Sequence, residues 1–190
     1  RLVFPVRTTG GQIAGFAGRY RGTEGAGTAK YVNSDNSEAY NKGRILYGLY
    51  EAVRAVRTEG DVLLCEGYKD VIAFHAAGIR HAAGLCGTAL TEDHVRMIRR
   101  LTGHVTLRSA RLLLAQGCEV GLLPLPGGMD PDEMFRRQGA EALRRLVRTE
   151  AVDYLSHRIR KAAGRKGGPD AGGIREVLGE IRLVGSRGVR

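Results

Sequence analysis

The chain contains no tryptophan, and only 6% of its residues are aromatic. A packed interior must therefore be filled by aliphatic side chains, which the 43% hydrophobic content supplies. Cysteine is scarce: Cys65, Cys86 and Cys118. None stands in a CxxC or Cys/His spacing, which excludes a zinc site of the usual kind within these residues. The odd count also argues against a disulfide framework. All three lie near predicted strands, as reduced cytosolic thiols do. No apolar run reaches the 18 residues a membrane helix needs, and no stretch has the build of a secretory signal. Negative charge is in deficit, with 20 Asp plus Glu against 30 Lys plus Arg and a formal net charge of +10. Such a surplus serves solubility or a polyanionic partner, nucleic acid foremost. The 190 residues suffice for one domain or two small ones. The first residues read as the inside of a strand, so the sequence is expected to begin at a cut.

What is present centres on Val62-Leu63-Leu64-Cys65-Glu66-Gly67-Tyr68-Lys69-Asp70. The apolar run has strand length and β-rich composition. The segment after it, Val71 to Ala77, reads as a buried helix closed by Gly78. A strand that gives way to a helix at a glycine puts Glu66 at the strand's carboxyl end, the edge where open α/β sheets hold ligands.

Ahead of this unit, Leu2-Val3-Phe4-Pro5-Val6 and a second run from Gln12 to Arg19 flank Thr8-Thr9-Gly10-Gly11, which predicts a hairpin. Pro5 puts the first strand at an edge or at a bulge. A polar, glycine-rich loop follows from 21 to 27, then a short strand over 30–34 and a loop over 35–41. A helix is expected from 44 to about 57, with Ile45, Leu49, Val53 and Val56 on one face. From Asp61 the rhythm alternates. Strand 62–66, helix 70–77, strand 80–85, helix 92–101 capped by Thr91, strand 104–107, helix 108–116 and a last strand 119–123 follow in turn. That order predicts a parallel sheet covered by helices. Beyond Ala140 the pattern is helical. The stretch 164–173 reads as a linker, and 174–190 as one more helix. Three domains are expected: a basic, mixed α+β N-terminal subdomain over 1–58, an α/β domain over 59–139, and a helical segment over 140–190.

Two sets of residues carry candidate chemistry. Arg19, Lys30, Lys42 and Arg44 stand at loop edges beside Tyr31, Asn33 and Tyr47, a mixture that suits a phosphate backbone and equally a scattered solvated surface. The second set is acidic. Gly127-Gly128-Met129-Asp130-Pro131-Asp132-Glu133 follows the last strand. Helix capping alone explains its acids and its proline. The loop nonetheless opens at the same sheet edge as Glu66, where Asp130 and Asp132 can converge with Asp70. Carboxylates gathered at one edge of a basic protein fit a Mg²⁺ site, since hard cations take oxygen ligands and bridge to phosphates. Asp70 also has a dipole-complementing role open to it; Glu66, before a glycine, has no capping role.

The ordered set resembles the Toprim-containing RNA polymerase core of bacterial DnaG-type primases. It comprises Glu66-Gly67-Tyr68-Lys69-Asp70, Asp130-Pro131-Asp132, Phe4-Pro5-Val6-Arg7, Gly15 to Arg19, Lys30 to Ser34, Lys42-Gly43-Arg44 and Leu85 to Thr91. The resemblance runs from about 1 to 150. It implies a Toprim-type parallel sheet flanked by helices, and synthesis of short RNA primers on single-stranded DNA from ribonucleoside triphosphates. It implies Glu66 as a metal ligand or general acid/base and Asp130 and Asp132 as a later acidic pair; together with Asp70, placed by the sheet edge, they are the expected ligands of Mg²⁺ or Mn²⁺. Arg19, Lys30, Tyr31, Asn33, Lys42 and Arg44 would hold nucleotide or template. Zinc and the replicative helicase would engage domains outside this chain, in a cytoplasmic, nucleoid-associated protein with no membrane contact.

One departure stands out. The family carries an Asp-x-Asp loop after the strand matching 104–107, and here Leu107 runs into Arg108-Ser109-Ala110-Arg111. Either a central metal site has been lost or residues are missing between Leu107 and Arg108; the short helix that follows favours a break there. A Toprim topoisomerase or nuclease, or a non-catalytic nucleic-acid-binding module, are the other readings.

Overall fold

A computed structural model of the chain describes residues 1–22, 29–107, 113–114, 118–163 and 171–185. The N-terminal part is a three-stranded antiparallel sheet, β1 (Leu2–Arg7), β2 (Ile13–Arg19) and β3 (Tyr31–Asn33), in that order. The expected hairpin forms. Pro5 lies on edge strand β1, where its missing N–H costs no ladder bond, and the register shifts between Val6 and Arg7. Phe4, Val6 and Ala17 are buried on one face.

The helix expected from 44 begins later, as α1 (Leu49–Glu59). Gly48, at φ 75°, turns the chain left-handed just before it, and Tyr47 exchanges two backbone hydrogen bonds with Gly84 at 2.8 and 2.9 Å. That tertiary bridge holds 44–48 out of the helix. Ile45 is buried in a separate cluster; Leu49 and Val56 are buried on α1 as expected, with Ala52 beside them and Val53 partly buried.

The second sheet has the order β5-β4-β6-β7-β8. Strands β4 (Asp61–Cys65), β5 (Ala82–Gly84), β6 (His104–Leu107) and β7 (Glu119–Leu122) are parallel. Helices α2 (Tyr68–Ala76) and α3 (Glu92–Arg99) follow β4 and β5. Thr91 caps α3 as expected, and the cap is reciprocal: the His94 N–H donates to Thr91 Oγ1 while the Thr91 N–H donates to His94 Nδ1, both at 3.2 Å. Of the helix expected over 108–116, only the buried turn at Leu113 and Leu114 falls among the described residues. The Leu107–Arg108 junction, where a break is expected, lies outside them, as does 164–170 of the expected linker.

The run to 123 is not the last strand. Val152–Asp153 forms β8, antiparallel to β7, before α5 (Tyr154–Ala163). It is two residues long and owes its existence to pairing, which no local pattern announces. Ahead of it, α4 (Pro131–Glu150) is interrupted at Gly139, whose φ is 80°. The final helix, α6 (Ala171–Gly185), starts inside the expected linker. The Tyr154 hydroxyl donates to buried Glu180 at 3.0 Å, which ties α5 to α6. Tyr154 also joins the core cluster formed by α1, β4 and β6, so the C-terminal helices are anchored on the sheet. All three cysteines are free and buried.

Candidate active site at the carboxyl edge of the parallel sheet

From β4 the chain moves to β5 on one side, and from β6 to β7 on the other. The crevice beyond the carboxyl ends of β4 and β6 is therefore the topological switch point, where open α/β sheets bind ligands. Glu66 emerges there, exposed, directly after the buried strand Val62–Cys65. Gly67 is the N-cap of α2 and Asp70 sits in its first turn. The helix can lie this close because β5 ends in glycine: a Cβ on Gly84 would stand 2.7 Å from Val71 Cγ2 and 3.1 Å from the Gly67 carbonyl.

The loop after β7 brings the other acids. Leu123, Leu125 and Pro131 line one cleft with Glu66, Asp70 and Thr106. Asp130 is the N-cap of α4, its Oδ1 accepting the Glu133 N–H at 2.7 Å, and Pro131 takes the first helical position. The capping role is thus real, and it aims the helix start at Asp70. Burial pushes the Asp70 carboxyl up from 3.8 to about 6; Asp130, Asp132 and Glu66 add to the rise, while a hydrogen bond from the Asp132 backbone opposes it. All four predicted acids therefore share one electrostatic neighbourhood. Asp132 is the neutralised member, ion-paired with Lys69 and, at 3.1 Å, with Arg136. Neither cation belongs to the residues singled out from sequence. Arg136 was readable as an i,i+4 partner of Asp132 on a helix; the pairing of Lys69 is long-range and left no local signal.

The basic candidates divide. Tyr31 is raised by burial; Arg19 opposes the rise and Asp70 and Asp132 reinforce it, so Tyr31 and Arg19 lie within the field of the acids. Tyr31 and Phe4 pack against Tyr68, with centroids 5.9 and 5.4 Å away. Asn33 is spent on structure: its Oδ1 accepts from the Tyr68 hydroxyl at 2.6 Å and its Nδ2 donates to the Cys86 carbonyl at 3.3 Å. Tyr68 thus couples the N-terminal sheet to the helix that bears Asp70. Lys30 is exposed beside β3. The backbone of Lys42 serves the fold, its carbonyl lying 3.0 Å from His94 Nε2. Arg44 reaches Asp93 at 3.0 Å instead of the acidic edge.

These donors suit a hard divalent cation. They are all carboxylate oxygens, and burial first, then the charge of Asp130, hold the Asp70 carboxyl above its ordinary value. Among the described residues no group of three or more His, Cys, Asp or Glu side chains is gathered closely enough to hold a metal ion. An open arrangement of one or two carboxylates completed by water and phosphate is what small hard cations use. The Toprim primase family is generally metal-dependent.

Comparison with known proteins agrees with this geometry. Residues 1–53 match the family model for the DNA primase catalytic core, N-terminal domain, and residues 60–120 match that of the Toprim domain. A DNA primase of Halalkalibacterium halodurans is 38% identical over 173 residues, covering 84% of this chain and 28% of the relative; one of Staphylococcus aureus is 32% identical over the same span. The chain thus spans little more than a quarter of these relatives' length. The zinc-binding and RNA polymerase domains of the Aquifex aeolicus primase align at TM-score 0.82 and 33% identity, over 100% of this chain and 48% of that one. The RNA polymerase domain of Mycobacterium tuberculosis primase in complex with double-stranded DNA aligns at 0.79 and 28%, over 96% and 64%. A DnaG primase catalytic domain bound to single-stranded DNA aligns at 0.74 and 30%, over 96% and 64%. Topoisomerase and nuclease readings are not favoured. The chain belongs to the bacterial DnaG-type primase family and comprises part of its catalytic core, including the Toprim domain.

Proposed function

We propose that this chain carries the reaction centre of a primase that makes short RNA primers on single-stranded DNA from ribonucleoside triphosphates. The carrying observation is that Glu66 and the half-buried Asp70 line one cleft at the switch point, close enough to Asp130 and Asp132 for all three acids to act on Asp70, with Tyr31 in the field of Asp70, Asp132 and Arg19. Glu66 and Asp70 would hold Mg²⁺ or Mn²⁺, with water and phosphate oxygens completing its shell; Asp130 adds charge to the same edge, and Asp132 lies behind in its ion pairs. When bound, such a cation neutralises triphosphate charge and favours the attacking hydroxyl's anion. Glu66, exposed at the strand end, is positioned to accept or return a proton at the crevice. Arg19 and Lys30 would bind phosphate, and Tyr31 offers a ring to a base. Lys42 and Arg44 would serve template further along the N-terminal part.

In this reading residues 1–58 guide template and nucleotide, 59–139 hold the acids, and 140–190 brace the sheet. Zinc and helicase contacts belong to other domains of the cytoplasmic, nucleoid-associated protein. Among the described residues no helix is long and apolar enough to cross a membrane. The sequence as it stands has no acid from Arg108 to Cys118, and the reading rests on the acids at the β4 edge. The test is an assay with labelled ribonucleotides, a single-stranded template and Mg²⁺ or Mn²⁺, with products sized on a gel. Metal-dependent primer ladders are expected. Cut template, or binding without either product, overturns the proposal.

A further inference from the structure

Lys69 is placed where helix energetics alone would not put it. It is the second residue of α2, where the helix dipole favours negative charge and disfavours an ammonium. Its side chain is 30% exposed and runs to Asp132, which is 14% exposed and lies 63 positions later in the sequence. The oxygen it meets, Oδ2, also receives Arg136 Nε at 3.1 Å. Asp132 in turn sends its backbone N–H to Asp70, so the Lys69 ammonium is paired with a residue that is itself hydrogen-bonded to the acidic edge. Arg136 alone would satisfy Asp132 as an exposed i,i+4 pair. The second cation has a different consequence: it fixes a positive charge on the residue next to Asp70, three positions after Glu66, and pairs it with the helix start that Asp130 caps.

We propose that Lys69 is a built-in cation that competes with the divalent metal for the acidic edge, so that residue 69 sets the metal affinity of this site. The proposal rests on the metal reading given above. With Lys69 in place, a metal ion must either displace the ammonium from Asp132 or bind beside it. A neutral side chain at 69 removes that competition and leaves Asp132 paired with Arg136.

The test is a titration of the chain with Mn²⁺, with free Mn²⁺ followed by electron paramagnetic resonance at low ionic strength. Lys69→Met is expected to tighten Mn²⁺ binding by about fivefold to tenfold, the scale for removing one unit charge near a dication in a partly solvated site. Lys69→Arg keeps the charge and is expected to stay close to the parent chain. Thermal melts in chelator check that each variant folds. Lys69→Met binding no more tightly than the parent overturns the proposal while the metal reading stands. Lys69→Arg tightening as much as Lys69→Met overturns it too, because charge would then not be the cause. Failure of the parent and both variants to bind Mn²⁺ overturns the metal reading, and this inference with it.

Discussion

The carboxyl ends of β4 and β6 open on the same crevice and are dressed in opposite ways. At β4 the strand passes through Glu66 and Gly67 into a helix whose first turn bears Asp70, and the start of α4 adds Asp130 and Asp132. At β6 the last residues are Thr106 and Leu107, and the sequence continues Arg108-Ser109-Ala110-Arg111. Backbone geometry at a switch point invites a ligand, but side-chain chemistry decides which strand end does the work. In this chain the negative charge is concentrated on the β4 side. Burial, reinforced by the neighbouring acids, raises the Asp70 carboxyl, while Lys69 and Arg136 offset the charge of Asp132.

The largest effect that can break this contrast is on Glu66. Glu66→Gln keeps the size and removes the charge, and primer synthesis should fall by roughly two or more orders of magnitude, with single-stranded DNA affinity little changed. Near-parent synthesis would mean that the β4 end is not special. The next concerns the close approach that sets α2 on the sheet. Gly84→Ala introduces a Cβ 2.7 Å from Val71 Cγ2 and should destabilise the fold by about 1–3 kcal/mol, read from urea unfolding. An unchanged midpoint would show that α2 has room to move.

A smaller effect sharpens the electrostatic side. An acid raised from 3.8 to about 6 binds its proton more readily in the folded state. Stability of the metal-free chain should therefore fall as pH rises from about 4 to about 6, and stay lower above that. Asp70→Asn removes this dependence. It should gain on the parent by on the order of 1 kcal/mol at pH 7.5, after allowing for partial solvation, and the gap should close below about pH 4. A gap that is constant with pH would locate the strain elsewhere. The smallest effect belongs to the basic side. If Lys30 contacts a template phosphate, Lys30→Ala should lower the log–log salt slope of single-stranded DNA binding by about 0.7. An unchanged slope and affinity would assign Lys30 to the solvated surface.

Local chemistry made much of this legible. The strand–glycine–helix unit around Glu66, the hairpin with Pro5 at its edge, and the caps at Thr91 and Asp130 each follow from residues within a few positions of one another, and each formed. What was not legible depends on partners distant in sequence. The start of α1 is delayed by the Tyr47–Gly84 bridge, and β8 exists only because β7 offers it an edge. Asn33 carries a polar side chain beside basic residues, the pattern of a phosphate contact, yet Tyr68 and the Cys86 carbonyl claim both ends of its amide. Arg44 stays largely exposed, but its pairing with Asp93, 49 residues away, had no local signal. The gathering of the four acids was predictable from topology, because strand ends of a parallel sheet share an edge. Their partial neutralisation by Lys69 was not.

Whether the β4 edge is the metal-binding centre can be measured directly by nuclear magnetic resonance of the labelled chain with substoichiometric Mn²⁺. Paramagnetic broadening should appear first at the amides of residues 66–70 and 130–132 and be much reduced in Glu66→Gln. Broadening that is strongest around Asp93 or Glu119, or that spreads evenly over the surface acids, would contradict a reaction centre at the end of β4.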